Sequence, residues 1–318
     1  MLADHAFHDA IGTTYARGWY LVQWSEALAP GEIQPLRYFG HDFVLYRSEA
    51  GDARLLDAHC PHLGAHLGHG GRVEGDSIVC PFHAWRFDGA GACTEVPYAK
   101  RIPAKAALHA YELREHSGMI LAYLDAPGRT PEYEVPPIVE HGDPGWTELV
   151  VSEMEIATQA REVIENIADR AHFSHVHDTN IHAFDVDVDG PRATQKSTVG
   201  RFIRGQEWLG ESSATYYGPA VQFTTIVWTH PTVLINAHVP IDEHRLLLRF
   251  AVLMKKPEGV EVPRSAIQVH IDAMSEGYLQ DVAIWENKRW QDQPILADGD
   301  GPIGTIRRWY ASFFDERA

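Results

Sequence analysis

Two short loops carry the residues whose chemistry is easiest to name. Cys60-x-His62 and Cys80-x-x-His83 stand seventeen residues apart, and each loop offers one thiolate and one imidazole. Zinc accepts two thiolates with two imidazoles, so a structural zinc ribbon is one reading. The alternation also suits iron and sulfide, because the two cysteines can hold one iron of a [2Fe–2S] pair and the two histidines the other. Pro61, Gly64, Gly68 and Pro81 favour tight loops whose backbone N–H groups could face sulfide. His66, His69 and Cys93 lie close in sequence; the two histidines read as loop-packing groups or as outer partners of the metal ligands, and Cys93 as a small buried apolar residue.

A second set lies in the run from Glu165 to His177. Asp169, His172 and His177 form D-x-x-H-x-x-x-x-H. The histidines are five apart where a regular helix would use four, so they converge only if the helix is distorted or ends between them. Taken alone the pattern is weak and describes many polar helix ends. His175 competes for the same role, and Glu165 and Asn166 are neighbours without a firm one.

Together the two sets resemble the Rieske non-haem iron oxygenases. CPHLGAHLG at 60–68, CPFHAWRFDG at 80–89, VPYA at 96–99, DVAIWENK at 281–288 and IRRWY at 306–310 carry a closer resemblance to the oxygenase components of 3-ketosteroid 9α-hydroxylases and the related sterol 7-desaturases. The resemblance implies a [2Fe–2S] cluster on Cys60, His62, Cys80 and His83, and a mononuclear Fe(II) on His172, His177 and a carboxylate from a later helix. Asp281 is the expected carboxylate, with Asp272 and Glu286 as rivals. Asp169 is implied as the bridge from an iron-ligating histidine to a cluster histidine across a subunit boundary in a head-to-tail trimer. Also implied are a flavin- and ferredoxin-type NAD(P)H reductase as electron donor, O2 as co-substrate, and hydroxylation of an unactivated C–H in a hydrophobic polycyclic substrate. Desaturation, O-demethylation, or an inactive electron-transfer protein are the other readings. Ala65-His66 is nearer the desaturase branch, whereas the C-terminal half and the lack of a membrane segment before the cluster domain are nearer the hydroxylases.

The elements that must position these residues fall into two parts. From Trp19 to about Asp125, short apolar runs such as Phe43 to Tyr46 alternate with turn clusters, which predicts an antiparallel β domain. A proline-rich connector, Pro127 to Pro144, reads as a semi-rigid linker and sets a boundary near residue 135. The expected domains are 1–135 and 136–318, and the expected fold class is α+β. The second part is expected to be helix-grip-like, with a central antiparallel sheet between helices. Helices are expected over Ala160 to His172, with Val163, Ile164 and Ile167 on one side, and over Glu276 to Trp290; strands are expected over Phe223 to Val239. Tyr216, Phe223, Trp228 and Ile235 are candidates for a cavity wall or for plain core, and Trp285 lies one turn beyond Asp281 on the same face.

Composition narrows the partners. With 27 Lys+Arg against 44 Asp+Glu in 318 residues, the net charge of −17 argues against non-specific binding to nucleic acid or anionic membrane. Three cysteines are too few for a disulfide framework and favour a reducing, cytoplasmic setting. MLADHAFHDA lacks the basic and apolar signature of an export signal, and no apolar run approaches the roughly 20 residues of a spanning helix. Two motifs are decoys. Gly299 to Gly304 spells G-x-G-x-x-G without a preceding strand and reads as a loop. Asp185, Asp187, Asp189 and Gly190 imitate a calcium loop whose twelfth position is Lys196, and read as a solvated acidic turn.

Overall fold

A computed structural model describes residues 7–203, 205–228 and 230–315. The N-terminal part is built from three small antiparallel sheets. β1 (Gly18–Trp24) pairs with β10 (Met119–Leu124), which pairs with β9 (Glu112–His116); β2 (Ile33–Tyr38), β3 (His41–Arg47) and β4 (Ala53–Asp57) form the second. The third is β5 (Arg72–Glu74), β6 (Ser77–Val79), β7 (Arg86–Phe87) and β8 (Cys93–Glu95). Both Cys/His loops enter or leave this last sheet.

The C-terminal part is one seven-stranded antiparallel sheet. β12 (Asn180–Asp189), β13 (Arg192–Ile203), β14 (Gln206–Tyr217), β15 (Val221–Val227), β16 (Pro231–Pro240) and β17 (Leu246–Met254) run as a meander, and β11 (Val150–Ile156) closes the far edge against β17. Four helices accompany it: α1 (Ala160–Glu165), α2 (His172–Val176), α3 (Arg264–Trp285) and α4 (Ile303–Ala311). The α+β reading holds, with α3 laid on a sheet that is antiparallel throughout.

Period-two alternation gives the sheet two buried faces. Val233, Ile235 and Ala237 of β16 join Ala251 and Leu253 of β17 on one face, where they pack against Trp19 and Leu21 of β1 and Met119 and Leu121 of β10. Leu234 of β16 and Leu248, Phe250 and Val252 of β17 point the other way, toward Ile267, Ile271, Val282 and Trp285 of α3. Each such side chain contributes about 1.5–3 kcal/mol on burial. A buried guanidinium stitches the first layer: Arg249 donates to the Leu21 carbonyl and to the Tyr38 hydroxyl, both at 2.9 Å.

Three expectations are corrected. The helix expected over Ala160 to His172 stops at Glu165, turns through 166–168, and resumes only at His172. The helix expected from Glu276 begins at Arg264 and ends at Trp285, because Ile267 and Ile271 supply a thin apolar stripe with little other periodic signal. Asp185 and Asp187 stand on a strand instead of a turn. Exposed carboxylates on the edge strand β12 leave it poorly suited to pairing with another chain. The connector is also tied down at one point, where Trp19 donates its indole N–H to the Tyr133 carbonyl at 2.8 Å and its backbone N–H to the Tyr133 hydroxyl at 3.2 Å.

Candidate metal centres and the cavity between sheet and helix

The two Cys/His loops repeat one backbone pattern. Gly64 N–H donates to the Cys60 carbonyl at 2.9 Å and Cys60 N–H to Ala65; in the second loop Ala84 N–H donates to Cys80 at 3.1 Å and Cys80 N–H to Trp85. The fourth residue after each cysteine sits in the left-handed region, Gly64 at φ 76° and Ala84 at φ 58°. This duplication brings the two histidine rings to 4.6 Å between centroids. Cys60 and Cys80 are buried and free of any disulfide.

The donor atoms left over fit a cluster. His62 Nδ1 is buried without a hydrogen-bond partner, while its ring stacks on Trp85 at 4.7 Å and 7°, and Trp85 is fixed by donating to the Tyr98 hydroxyl at 2.8 Å. Burial, with Cys80 beside it, pushes the Cys60 thiol up to about 12, so the site is costly to ionise until a metal takes the proton's place. Cys93 packs in the same core, and His66 accepts from Gly68 N–H at 3.0 Å.

The second centre forms where α2 ends. His172 opens this five-residue helix and His177 is its C-cap, with Asp178 in the left-handed region just beyond; the helix therefore stops between the two rings as their spacing required. One ligand atom each from His172, His177 and Asp281 lie within 4.8 Å of one another. Of the rival carboxylates, Asp272 is exposed and accepts from Gln268, and Glu286 accepts from Ala157 N–H. His175 turns outward with Nδ1 3.1 Å from the Ala171 carbonyl.

Outer partners set both tautomers. His172 Nδ1 donates to the Asp169 carbonyl and His177 Nδ1 to Gln280 Oε1 at 3.0 Å, which leaves both Nε2 lone pairs inward. His172 Nε2 is buried with no partner. His177 Nε2 lies 3.3 Å from Asp281 Oδ1, and this contact, against the opposing effect of burial, holds the imidazole above its ordinary value. A proton there occupies the place a cation would take. Two neutral imidazoles and one carboxylate suit non-haem Fe(II). Asn166 donates to the other Asp281 oxygen at 3.4 Å, a role its sequence position did not reveal. The Asp169 carboxyl is pushed up by burial but held lower overall by hydrogen bonds from His172 and by its charge and that of Lys288. Gly301 braces this turn: a Cβ there would meet the Ala168 carbonyl at 2.1 Å, and Arg170 N–H donates to Asp300. The glycine-rich decoy is thus a loop with a steric purpose over 299–302, and its last two residues, Ile303 and Gly304, open α4 instead of lying in the loop.

Beside the triad opens a cavity of about 780 Å³, within the range of small-molecule sites. Tyr216, Trp228 and Trp285 line it, whereas Phe223 and Ile235 belong to the opposite face and pack under β1. A larger cleft of about 1290 Å³ touches Arg161 and Trp290 but none of His172, His177 and Asp281.

A cluster-type pair of loops and a two-histidine, one-carboxylate triad on a single chain define a Rieske non-haem iron oxygenase. Residues 18–112 match the Rieske [2Fe-2S] domain family, and residues 122–314 match the 3-Ketosteroid 9alpha-hydroxylase C-terminal domain family. The chain belongs to the 3-ketosteroid 9α-hydroxylase family. It is similar to a 3-ketosteroid-9-alpha-monooxygenase oxygenase component of Rhodococcus rhodochrous, 34% identical over 96% of this chain and 84% of that one. Cholesterol 7-desaturase nvd 1 of Ciona intestinalis is 29% identical over 98% of this chain and 71% of its own length. Among solved structures, dicamba monooxygenase bound to dicamba superposes with a TM-score of 0.76 at 15% identity, covering 94% and 97% of the two chains. NdmA from Pseudomonas putida CBB5 with caffeine gives 0.74 at 18%, also over 94% and 97%. At those identities the likeness is one of fold.

The chain is accordingly a Rieske monooxygenase component that carries a [2Fe-2S] cluster and mononuclear iron and takes electrons from a separate reductase. No helix among the described residues is long and apolar enough to cross a membrane.

Proposed function

We propose that this oxygenase hydroxylates an unactivated C–H bond of a steroid-like substrate lodged between α3 and the sheet. The observation that carries the reading is the convergence of His172, His177 and Asp281 on a cavity of about 780 Å³. In this proposal Cys60, His62, Cys80 and His83 hold the cluster, and His172, His177 and Asp281 hold the iron. Bound iron supplies O2 activation, with one oxygen atom entering the substrate and the other leaving as water. The chain's own groups do the rest. Gln280 and the Asp169 carbonyl aim the two imidazoles, Asn166 orients Asp281, and Trp285 and Trp228 help to exclude water. Asp169 also faces outward as the contact to a cluster histidine of a neighbouring copy in a trimer. The division near residue 135, the trimer, a flavin- and ferredoxin-type NAD(P)H donor and a cytoplasmic setting complete the proposal.

A single turnover tests it. The iron-loaded protein is reduced chemically and offered 3-ketosteroids and sterols with 18O2, and products are read by mass spectrometry. One 18O atom in a product is the expected result. Loss of two hydrogens without label would overturn hydroxylation in favour of desaturation, and an untouched panel with the cluster still reduced would overturn the steroid substrate.

A further inference from the structure

The cavity-facing side of β16 carries Asn236 and, two residues further on, His238. His238 is 2% exposed, and its Nε2 is buried with no hydrogen-bond partner. The other ring nitrogen is engaged by the Pro219 carbonyl. A carbonyl can only accept, so Nδ1 holds the proton and Nε2 presents a lone pair. Burial lowers the imidazole to about 4, which keeps it neutral at physiological pH. Asn236 Nδ2 donates to Gln222 Oε1 at 2.9 Å, leaving Asn236 Oδ1 buried and without a partner as well, although the Tyr278 hydroxyl lies beside this amide. His238 Nε2 is thus a buried acceptor without a donor, on a residue that lines the cavity. Gln195, on β13 of the same sheet face, shows the opposite: its Nε2 is a buried donor without an acceptor.

An unpaired buried acceptor is satisfied by a donor, and among the oxygen groups of a polycyclic substrate a hydroxyl donates whereas a ketone does not. We propose that the substrate presents a hydroxyl to His238 Nε2, so that the enzyme distinguishes an alcohol from the ketone of the same skeleton at that end. The inference rests on reading this cavity as the substrate site. A ketone placed there either strands the lone pair or keeps a water between them, and both weaken binding.

The experiment measures dissociation constants by calorimetry on the metal-loaded full chain with three matched pairs. One pair of 3-ketosteroids differs only by hydroxyl or ketone at C17, and a second pair of 17-ketosteroids differs only in this way at C3. The third is 1-tetralol with 1-tetralone. At least one pair is expected to favour the alcohol about tenfold in the unsubstituted protein, and His238→Phe is expected to bring that ratio close to one. Equal binding within every pair, or a preference that survives in a folded His238→Phe, overturns the proposal. The unsubstituted ratio decides it even if that variant fails to fold. If both steroid pairs fail to bind while the tetralol pair discriminates, the steroid reading falls and the hydroxyl contact stands; if nothing binds, both fall.

Discussion

Two glycines at the first cluster loop are expected to respond to very different degrees to the same added methyl group. Gly64 has φ 76°, and a Cβ built there meets nothing within 4 Å. Left-handed backbone costs a non-glycine residue about 1–2 kcal/mol, and the loss of unfolded-state freedom returns about 0.4–1 kcal/mol. Gly64→Ala is therefore expected to lose about 0.5–1 kcal/mol and to keep its cluster, just as Ala84 already carries a methyl at the matching position of the second loop. At Gly71 a Cβ would fall 2.2 Å from the Leu67 carbonyl oxygen and 3.3 Å from that of Val79, both backbone atoms. Relief requires moving the chain between Cys60 and Cys80, an overpacking cost of about 2–3 kcal/mol or more. At roughly 2–4 °C per kcal/mol, a thermal ramp followed by the cluster's visible absorbance should fall by about 2 °C for Gly64→Ala and about 5 °C or more for Gly71→Ala. Iron and sulfide content of the purified variants gives an independent reading. Full cluster in Gly71→Ala alongside an empty Gly64→Ala would refute the steric reasoning.

The other predictions concern the iron centre. His172→Ala should lose the mononuclear iron yet retain the cluster's optical and EPR signals, and Asp281→Ala should do the same; iron retained by Asp281→Ala would exclude that carboxylate as a ligand. Asp169→Asn keeps the carbonyl that aims His172, so both metals should stay bound while turnover falls about 10- to 100-fold, on the order of a lost outer partner. Unimpaired turnover would remove Asp169 from the mechanism. The pH dependence follows from His177, whose Asp281 neighbour raises its folded value above the ordinary imidazole value near 6.5. In metal-free protein that pairing stabilises fully below about pH 6.5 and is lost as pH rises through the folded value, so iron affinity should climb across the same interval. An iron titration that stays flat from pH 6 to 8.5 would contradict the assignment.

What could be read in advance followed from how far apart in sequence the cooperating atoms lie. Cys60, His62, Cys80 and His83 sit in two compact motifs, and His172 and His177 are close enough for their spacing to imply a helix end. Asp281 enters from a helix more than a hundred residues away, so only the resemblance singled it out from Asp272 and Glu286. Gln280 and Asn166, which hydrogen-bond His177 and Asp281, have side chains common on any helix surface. Phe223 and Ile235 show a different limit. Alternation says that neighbours point opposite ways, but it cannot say which parity faces a cavity when both faces of a strand are buried. The break after Glu165 was likewise hidden, since Ile167 continues the helical stripe that Val163 and Ile164 begin.

That double burial of β16 has a consequence for how such an enzyme changes its diet. Odd positions 233 and 235 belong to the joint with the cluster domain and even positions 232, 234, 236 and 238 to the cavity wall, while Ala237 touches both. The two duties are interleaved on one strand and meet only at Ala237. A library randomised at the even positions alone can explore new substrates while leaving the seat of the electron-carrying domain untouched, whereas a one-residue insertion would exchange the two and ruin both.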